Sequence, residues 1–267
     1  MSRRWITPLL ALVAALMAVP LVYIVSLSVR SRDDVLNGGL LPSTPFWRNW
    51  PDTFESIDLA RHLANSWVVA AGGVALTLVI AVPAAYYTAR ARRGGERLLS
   101  LVLASYCAPS VVAVLPLFYL LRTAGLSNTL TGLALVTGLA NVPVAVWLLD
   151  GFVRRVPREV EEAAWLDGLG SWGALRHVVV PLAAPGIVAS GLICFFLGYN
   201  ELLFALSLAQ ETSVQTLPVA LSRFQGDRNI QFGQQAVASI IGVAPVYVLA
   251  LLAQRRLVAG LSAGAVK

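Results

Sequence analysis

Few residues in this chain are equipped for chemistry, and where they sit narrows what that chemistry can be. The segment EEAAWLDGLG (161–170) gathers three carboxylates, two alanines and two glycines between long apolar runs. A fourth acid, Glu201, follows Asn200 inside an apolar run, where a charge is expensive and normally faces a protein interior or a watery cavity. The sole lysine is Lys267. A P-loop needs a lysine inside G-x-x-x-x-G-K-[ST], so no Walker A motif exists here and any ATP chemistry belongs to a partner. Gly260, Ser262 and Gly264 match G-x-S-x-G, but too near the end for the helix that a nucleophile elbow requires. His62 and His177 are expected on opposite sides of the membrane, so no metal site is expected from them. The chain is read as not an enzyme, with neither catalytic residues nor a cofactor.

The elements that must position these residues are spans. Of the 267 residues, 57% are hydrophobic, against roughly 45–50% in soluble domains. Several runs exceed the roughly 20 residues needed to cross a bilayer. Six transmembrane helices are predicted, over about 5–27, 66–89, 98–121, 129–152, 185–208 and 236–254, in one permease-like domain of an all-α polytopic membrane protein. The first run is read as a retained span, being too long for a signal peptide's apolar region. Net charge is +6, but the arginines lie in short clusters between apolar segments, which points to topology rather than nucleic acid. Cys107 and Cys194 lie in apolar runs and read as packing residues.

Orientation follows from counting cations. With the amino terminus inside, Arg3, Arg4, Arg90, Arg92, Arg93, Arg97, Arg154, Arg155, Arg158, Arg176, Arg255, Arg256 and Lys267 are cytoplasmic. Arg30, Arg32, Arg48, Arg61, Arg122, Arg223 and Arg228 are outside, a ratio of 13 to 7. The positive-inside rule thus predicts both termini and the 153–184 loop in the cytoplasm. The outer segments 30–62 and 209–235 carry turn-forming and aromatic residues.

Within the 153–184 loop, Pro157 suits a first helical position, and Glu159, Glu161 and Glu162 suit the positive end of a helix dipole. Val160, Ala163 and Ala164 are expected on one face, and Gly168 as the terminator with positive φ. Ser171 is expected to cap a second short helix with Trp172, Leu175, Val178 and Val179 as its apolar stripe, and Pro181 to end it. The small alanines would let a backbone lie in a partner's groove, while Glu162 offers a carboxylate to an arginine. On periodicity alone, an amphipathic loop resting on the membrane surface fits as well.

The stretch EAAWLDGLGSWGALRHVVVP resembles the cytoplasmic EAA loop of binding-protein-dependent ABC importer permeases. Glu162, Ala163, Ala164, Gly168 and Pro181 match that pattern, and Val178 and Val180 keep the apolar character of its Ile and Leu. FFLGYNELLFALSL is similar to the fifth-span signature of the maltose-type carbohydrate permeases, with Tyr199 where Trp is usual. NSWVVAAGG, TLPVALSRFQG and QRRLVAGLSAGAVK resemble the same subfamily. The resemblance implies a type I ABC importer fold in a bacterial plasma membrane, with Glu162, Ala163, Ala164, Asp167, Gly168 and Pro181 forming an ATPase-coupling elbow. It implies a homologous second permease, two cytoplasmic ATPases, an extracytoplasmic sugar-binding protein, membrane lipid and a sugar as partners.

Tyr199, Asn200 and Glu201 are the candidate translocation-pathway residues. For Glu201 a second reading stands beside the first: a clamp onto a backbone amide or an interfacial arginine. Asn65 is expected to cap the second span. Asn141 is expected to satisfy carbonyls freed by the kink at Pro143, and Gly72, Gly73, Gly191 and Gly198 to permit close helix approach. Permeases of the same superfamily for polyamine, phosphate or peptide, and a proton-coupled carrier using Glu201, are the competing functions.

Overall fold

The computed structural model describes residues 3–91, 93–226 and 229–265. Arg92, Arg228 and Lys267, counted above for orientation, lie outside them. Apolar sequence removed from water must satisfy its backbone groups internally, and a helix does so within one segment. Helices therefore dominate. They pack as two units, Met1–Leu63 with Val219–Tyr247, and Ala64–Pro218 with Val248–Lys267.

In the first unit, α1 (Arg3–Ser28) is followed by two short helices, α2 (Arg32–Leu36) and α3 (Asn49–Ser56). A polar knot orders the segment between them. Arg30, buried, reaches Asp34 Oδ2 at 3.0 Å and donates to the Asp34 carbonyl at 2.5 Å. Ser43 also donates to Asp34, and that hydroxyl together with Arg30 holds the Asp34 carboxyl below its usual range. Asn49 Nδ2 donates to the carbonyls of Ser28 and Arg30 at 3.1 and 2.9 Å.

The second unit is the bundle that positions the candidate residues. It is built from α4 (Leu59–Arg90), α5 (Gly95–Tyr106), α6 (Ser110–Thr123), α7 (Leu130–Val153), α8 (Arg158–Leu166) and α9 (Ser171–Ala174). A π-helical turn (Leu175–Val179) then leads into α10 (Val180–Tyr199) and α11 (Leu203–Leu208). After a 3₁₀ turn (Thr212–Val214) the chain re-enters the first unit with most of α12 (Leu217–Ser222), a two-stranded hairpin of β1 (Gln225–Gly226) and β2 (Asn229–Ile230), and the first half of α13 (Phe232–Ala265), whose residues from Val248 onward belong to the second unit. The hairpin pairs Gln225 with Ile230 and Gly226 with Asn229, a minor addition to an all-α chain.

Small residues let α4, α7 and α10 approach closely, as membrane helices require when no hydrophobic drive separates helix from lipid. Ala81, Ala85, Ala145, Val146, Leu149 and Cys194 form their shared core. Gly73 packs on Gly138, whose added Cβ would stand 2.8 Å from the Gly73 carbonyl oxygen. Thr77 donates to the Gly138 carbonyl across the pair at 2.8 Å.

Among the described residues, five helices are long and apolar enough to span: Thr7–Ser28, Leu59–Arg90, Leu130–Val153, Ser171–Tyr199 and Phe232–Ala253. The bent pair α5 and α6 makes six if counted as one span. Two expectations need correction. The third span, expected unbroken over 98–121, turns by 89° between Tyr106 and Ser110. Pro109 supplies the reason, since it lacks an N–H and biases Ala108 away from helical geometry. The fifth, expected over 185–208, starts at Ser171 and stops at Tyr199. Pro181 does not end the helix before it, because the π turn widens the helix where the proline ring would otherwise meet the preceding turn.

Candidate coupling site

Helix α8 is short, and its ends are built from its own sequence. Pro157 occupies the N-cap, and Glu159 and Glu161 lie in the first turn. Gly168 takes φ +88°, while the N–H of Leu169 bonds the Ala164 carbonyl and that of Gly168 the Trp165 carbonyl. This is a Schellman stop, the role expected of that glycine. After it, Gly170 rather than Ser171 is the N-cap of α9, and no side chain caps that helix. Leu175 and Val179 of the expected apolar stripe are buried against Ala89 and Val153. Trp172 points away and is 68% exposed.

The phase of α8 differs from the expected one. Its buried residues are Glu161 and Ala164, whereas Val160, Glu162 and Ala163 are exposed. Glu161 is only 1% accessible and fully engaged. Its Oε1 receives Arg90 Nε at 2.7 Å and Nη2 at 2.5 Å, and its Oε2 receives the Tyr86 hydroxyl at 3.1 Å. Arg90 Nη2 also donates to the Val156 carbonyl at 2.7 Å. Burying a charge is costly unless it is paired and hydrogen-bonded, and here both partners are.

A second ion pair stands at the end of α7. Asp150, buried, accepts from Arg154 Nε at 2.6 Å and from the Thr88 hydroxyl at 2.7 Å. That hydrogen bond to Asp150 raises the Arg154 pKa above its ordinary value. Arg155 lies over the Phe152 ring, 5.2 Å from its centre. Arginines that sequence reading counted only as topology signals are thus structural partners.

The outward face left by these contacts carries Glu162, Ala163, Trp165, Leu166, Asp167 and Trp172. Leu166 is 90% exposed. A surface of apolar side chains flanked by carboxylates, held rigidly from below, suits a protein partner.

At the far end of α10, the three pathway candidates separate. Tyr199 is buried in an aromatic cluster, stacked on Phe195 at 6.1 Å and edge-on to Trp67 at 6.4 Å. Asn200 is exposed and bonds back to the Phe196 carbonyl at 2.8 Å. Glu201 accepts the backbone N–H groups of Phe204 and Ala205 at 2.9 and 3.0 Å, capping α11. The clamp onto backbone amides is the reading its geometry favours. Glu201 also lines a cavity of about 420 Å³, with Ser105, Tyr106, Ser110, Asn141 and Phe204. Tyr199 and Asn200 are not among the lining residues.

Two asparagines also act otherwise than expected. Asn65 lies inside α4 instead of capping it, and donates to the carbonyls of Ser213 and Gln215 at 3.0 and 2.9 Å. Ser66 accepts the Leu217 N–H at 2.8 Å, so α4 pins the segment that follows α11. Asn141 donates across to the Cys194 carbonyl of α10 at 3.4 Å rather than serving the Pro143 kink.

Residues 73–262 match the family model described as the binding-protein-dependent transport system inner membrane component. The chain belongs to that family. It is 36% identical over 261 residues to the trehalose transport system permease protein SugB of Mycobacterium tuberculosis, covering 96% of this chain and 94% of that one. It is 37% identical over 227 residues to the sulfoquinovosyl glycerol transport system permease protein SmoH of Agrobacterium fabrum, covering 85% and 80% of the two chains. The crystal structure of a bacterial ABC transporter involved in the import of the acidic polysaccharide alginate shares the fold, with a TM-score of 0.76 at 23% identity over 96% of this chain and 98% of that chain. The permease is therefore an all-α, membrane-embedded transport component with the type I ABC importer fold. Its relatives are transport proteins.

Sequence reading of this permease missed the pairing of Glu161 with Arg90 and Tyr86 and that of Asp150 with Arg154 and Thr88. The spacing of Asp150 and Arg154 at i and i+4 was a usable signal. For Arg90 and Glu161, 71 residues apart, no local pattern exists.

Proposed function

We propose that this permease is one transmembrane subunit of an ATP-driven sugar importer, working by alternating access and moved through α8 by a cytoplasmic ATPase. The observation that carries the reading is the exposed face of α8 and α9, anchored from beneath by Glu161 and Ala164. Glu162, Ala163, Asp167 and the Gly168 turn stand where a groove in a partner would meet them, with Ala164 and Pro181 supporting the elbow. The relatives named for trehalose and sulfoquinovosyl glycerol favour a carbohydrate over polyamine, phosphate or peptide.

The complete machine in this reading holds a second, homologous permease, two ATPases and an extracytoplasmic binding protein, with both termini and the elbow in the cytoplasm. The whole chain acts as one permease domain. Asn65 and Ser66 brace residues 213–217, which supports a firm platform for the binding protein. The cavity beside Glu201 supplies this chain's share of the pathway, with Ser105, Tyr106 and Asn141 as polar contacts for hydroxyls. A proton-coupled carrier has less support, because the oxygens of Glu201 already serve as a helix cap.

Uptake of labelled sugar in cells tests the reading directly. Transport should persist when an uncoupler collapses the proton gradient and stop when the ATPase carries an inactivating substitution. Uptake with a dead ATPase would overturn it.

A further inference from the structure

The last turn of α4 is where the elbow meets the bundle. Successive residues there face different elements, as a helical step of about 100° per residue demands. Thr88 bonds Asp150 of α7. Ala89 packs with Val153 of α7 and with Leu175 and Val179 of the π turn. Arg90 grips Glu161 of α8 and the Val156 carbonyl just before it, and Tyr86, one turn earlier, holds the second Glu161 oxygen. From this arrangement we propose that residues 86–90 are the seat through which movement of α8 enters the bundle, with Arg90, Tyr86 and Glu161 as its positioning residues.

The physical case rests on what an ion pair does and an apolar contact does not. A helix of nine residues is too short to hold its own conformation in water. Its outer face is committed to a partner in the coupling reading, on which this inference rests, so its orientation depends on the inner face. Apolar contact is non-directional and permits sliding. A guanidinium that spans the entry to α8 and its first turn, through two nitrogens, fixes angle as well as distance. Buried ion pairs add little net stability relative to apolar packing, so one kept at this joint makes sense as a device for orientation. Loosening it should let the ATPases bind and turn over without moving the helices.

The assembled transporter in lipid vesicles gives the decisive quantity, sugar transported per ATP hydrolysed, alongside the yield of co-purified ATPase. Arg90→Gln should leave ATPase binding in place and lower that ratio roughly tenfold, the scale of coupling between contacting residues. Tyr86→Phe, which deletes one hydroxyl, should lower it by roughly two- to threefold. The exchange Arg90→Glu with Glu161→Arg should restore the ratio well above either single change. Parent-like ratios in Arg90→Gln and Tyr86→Phe overturn the proposal while leaving the coupling reading intact, as does an exchange no better than its parts. If Arg90→Gln does not accumulate, Tyr86→Phe and the exchange decide by the same criteria. An unmutated chain that fails to bind the ATPases overturns the coupling reading itself, and this inference with it.

Discussion

Glu161 and Glu201 are carboxylates of one helical bundle, the first buried and the second half-buried beside a cavity, and they are satisfied in opposite ways. Glu201 takes two backbone amides three and four residues ahead of it. Glu161 takes an arginine and a tyrosine from a helix more than seventy residues earlier. The first is a local device that lets the chain restart a helix after the break at Asn200. The second joins separate segments and is lost entirely if either moves. A buried acid is therefore not by itself a mark of function; the distance along the chain to its partner says more.

The comparison can be broken most severely at the inner site. Glu161→Ala leaves a guanidinium buried without its counter-charge, which typically costs about 3–5 kcal/mol. Thermal denaturation of the purified protein in detergent should register that loss, and a midpoint equal to the parent's would contradict the clamp. Next in size is Ala163→Asp on the exposed face of the same helix. It should leave the melting midpoint unchanged, yet reduce ATPase co-purification roughly tenfold, equivalent to about 1.4 kcal/mol. Retained co-purification would show that Ala163 lies outside the docking surface. The smallest effect belongs to Glu201→Gln, which keeps an acceptor oxygen for the cap. Full removal of a cap costs about 0.5–2 kcal/mol, so the amide should cost less and leave ATP-driven uptake near the parent level. Abolished uptake with an unchanged midpoint would return Glu201 to a direct transport role.

Much of this molecule was legible in advance, for reasons that differ by element. Spans declare themselves through continuous apolar runs, because a bilayer enforces length and composition on each segment separately. The Gly168 stop was legible because positive φ is a local demand that glycine meets most easily. The breaks were harder to read. Pro109 turns its helix sharply while Pro181 is absorbed by a π turn, and prolines look alike until their neighbours are placed. The candidate pathway was only partly legible. Tyr199, Asn200 and Glu201 are consecutive, yet one enters an aromatic cluster, one bonds back to its own helix and one caps the next.

Sequence by itself determined an all-α membrane protein and a charged elbow between spans, since both follow from composition and spacing within short windows, while the transport family came from the resemblance of its motifs. Tertiary structure alone decided which of two adjacent glutamates turns inward. A step of about 100° between neighbours on a helix sends Glu161 to Arg90 and leaves Glu162 outside, and only the folded chain puts the end of α4 beneath that particular face.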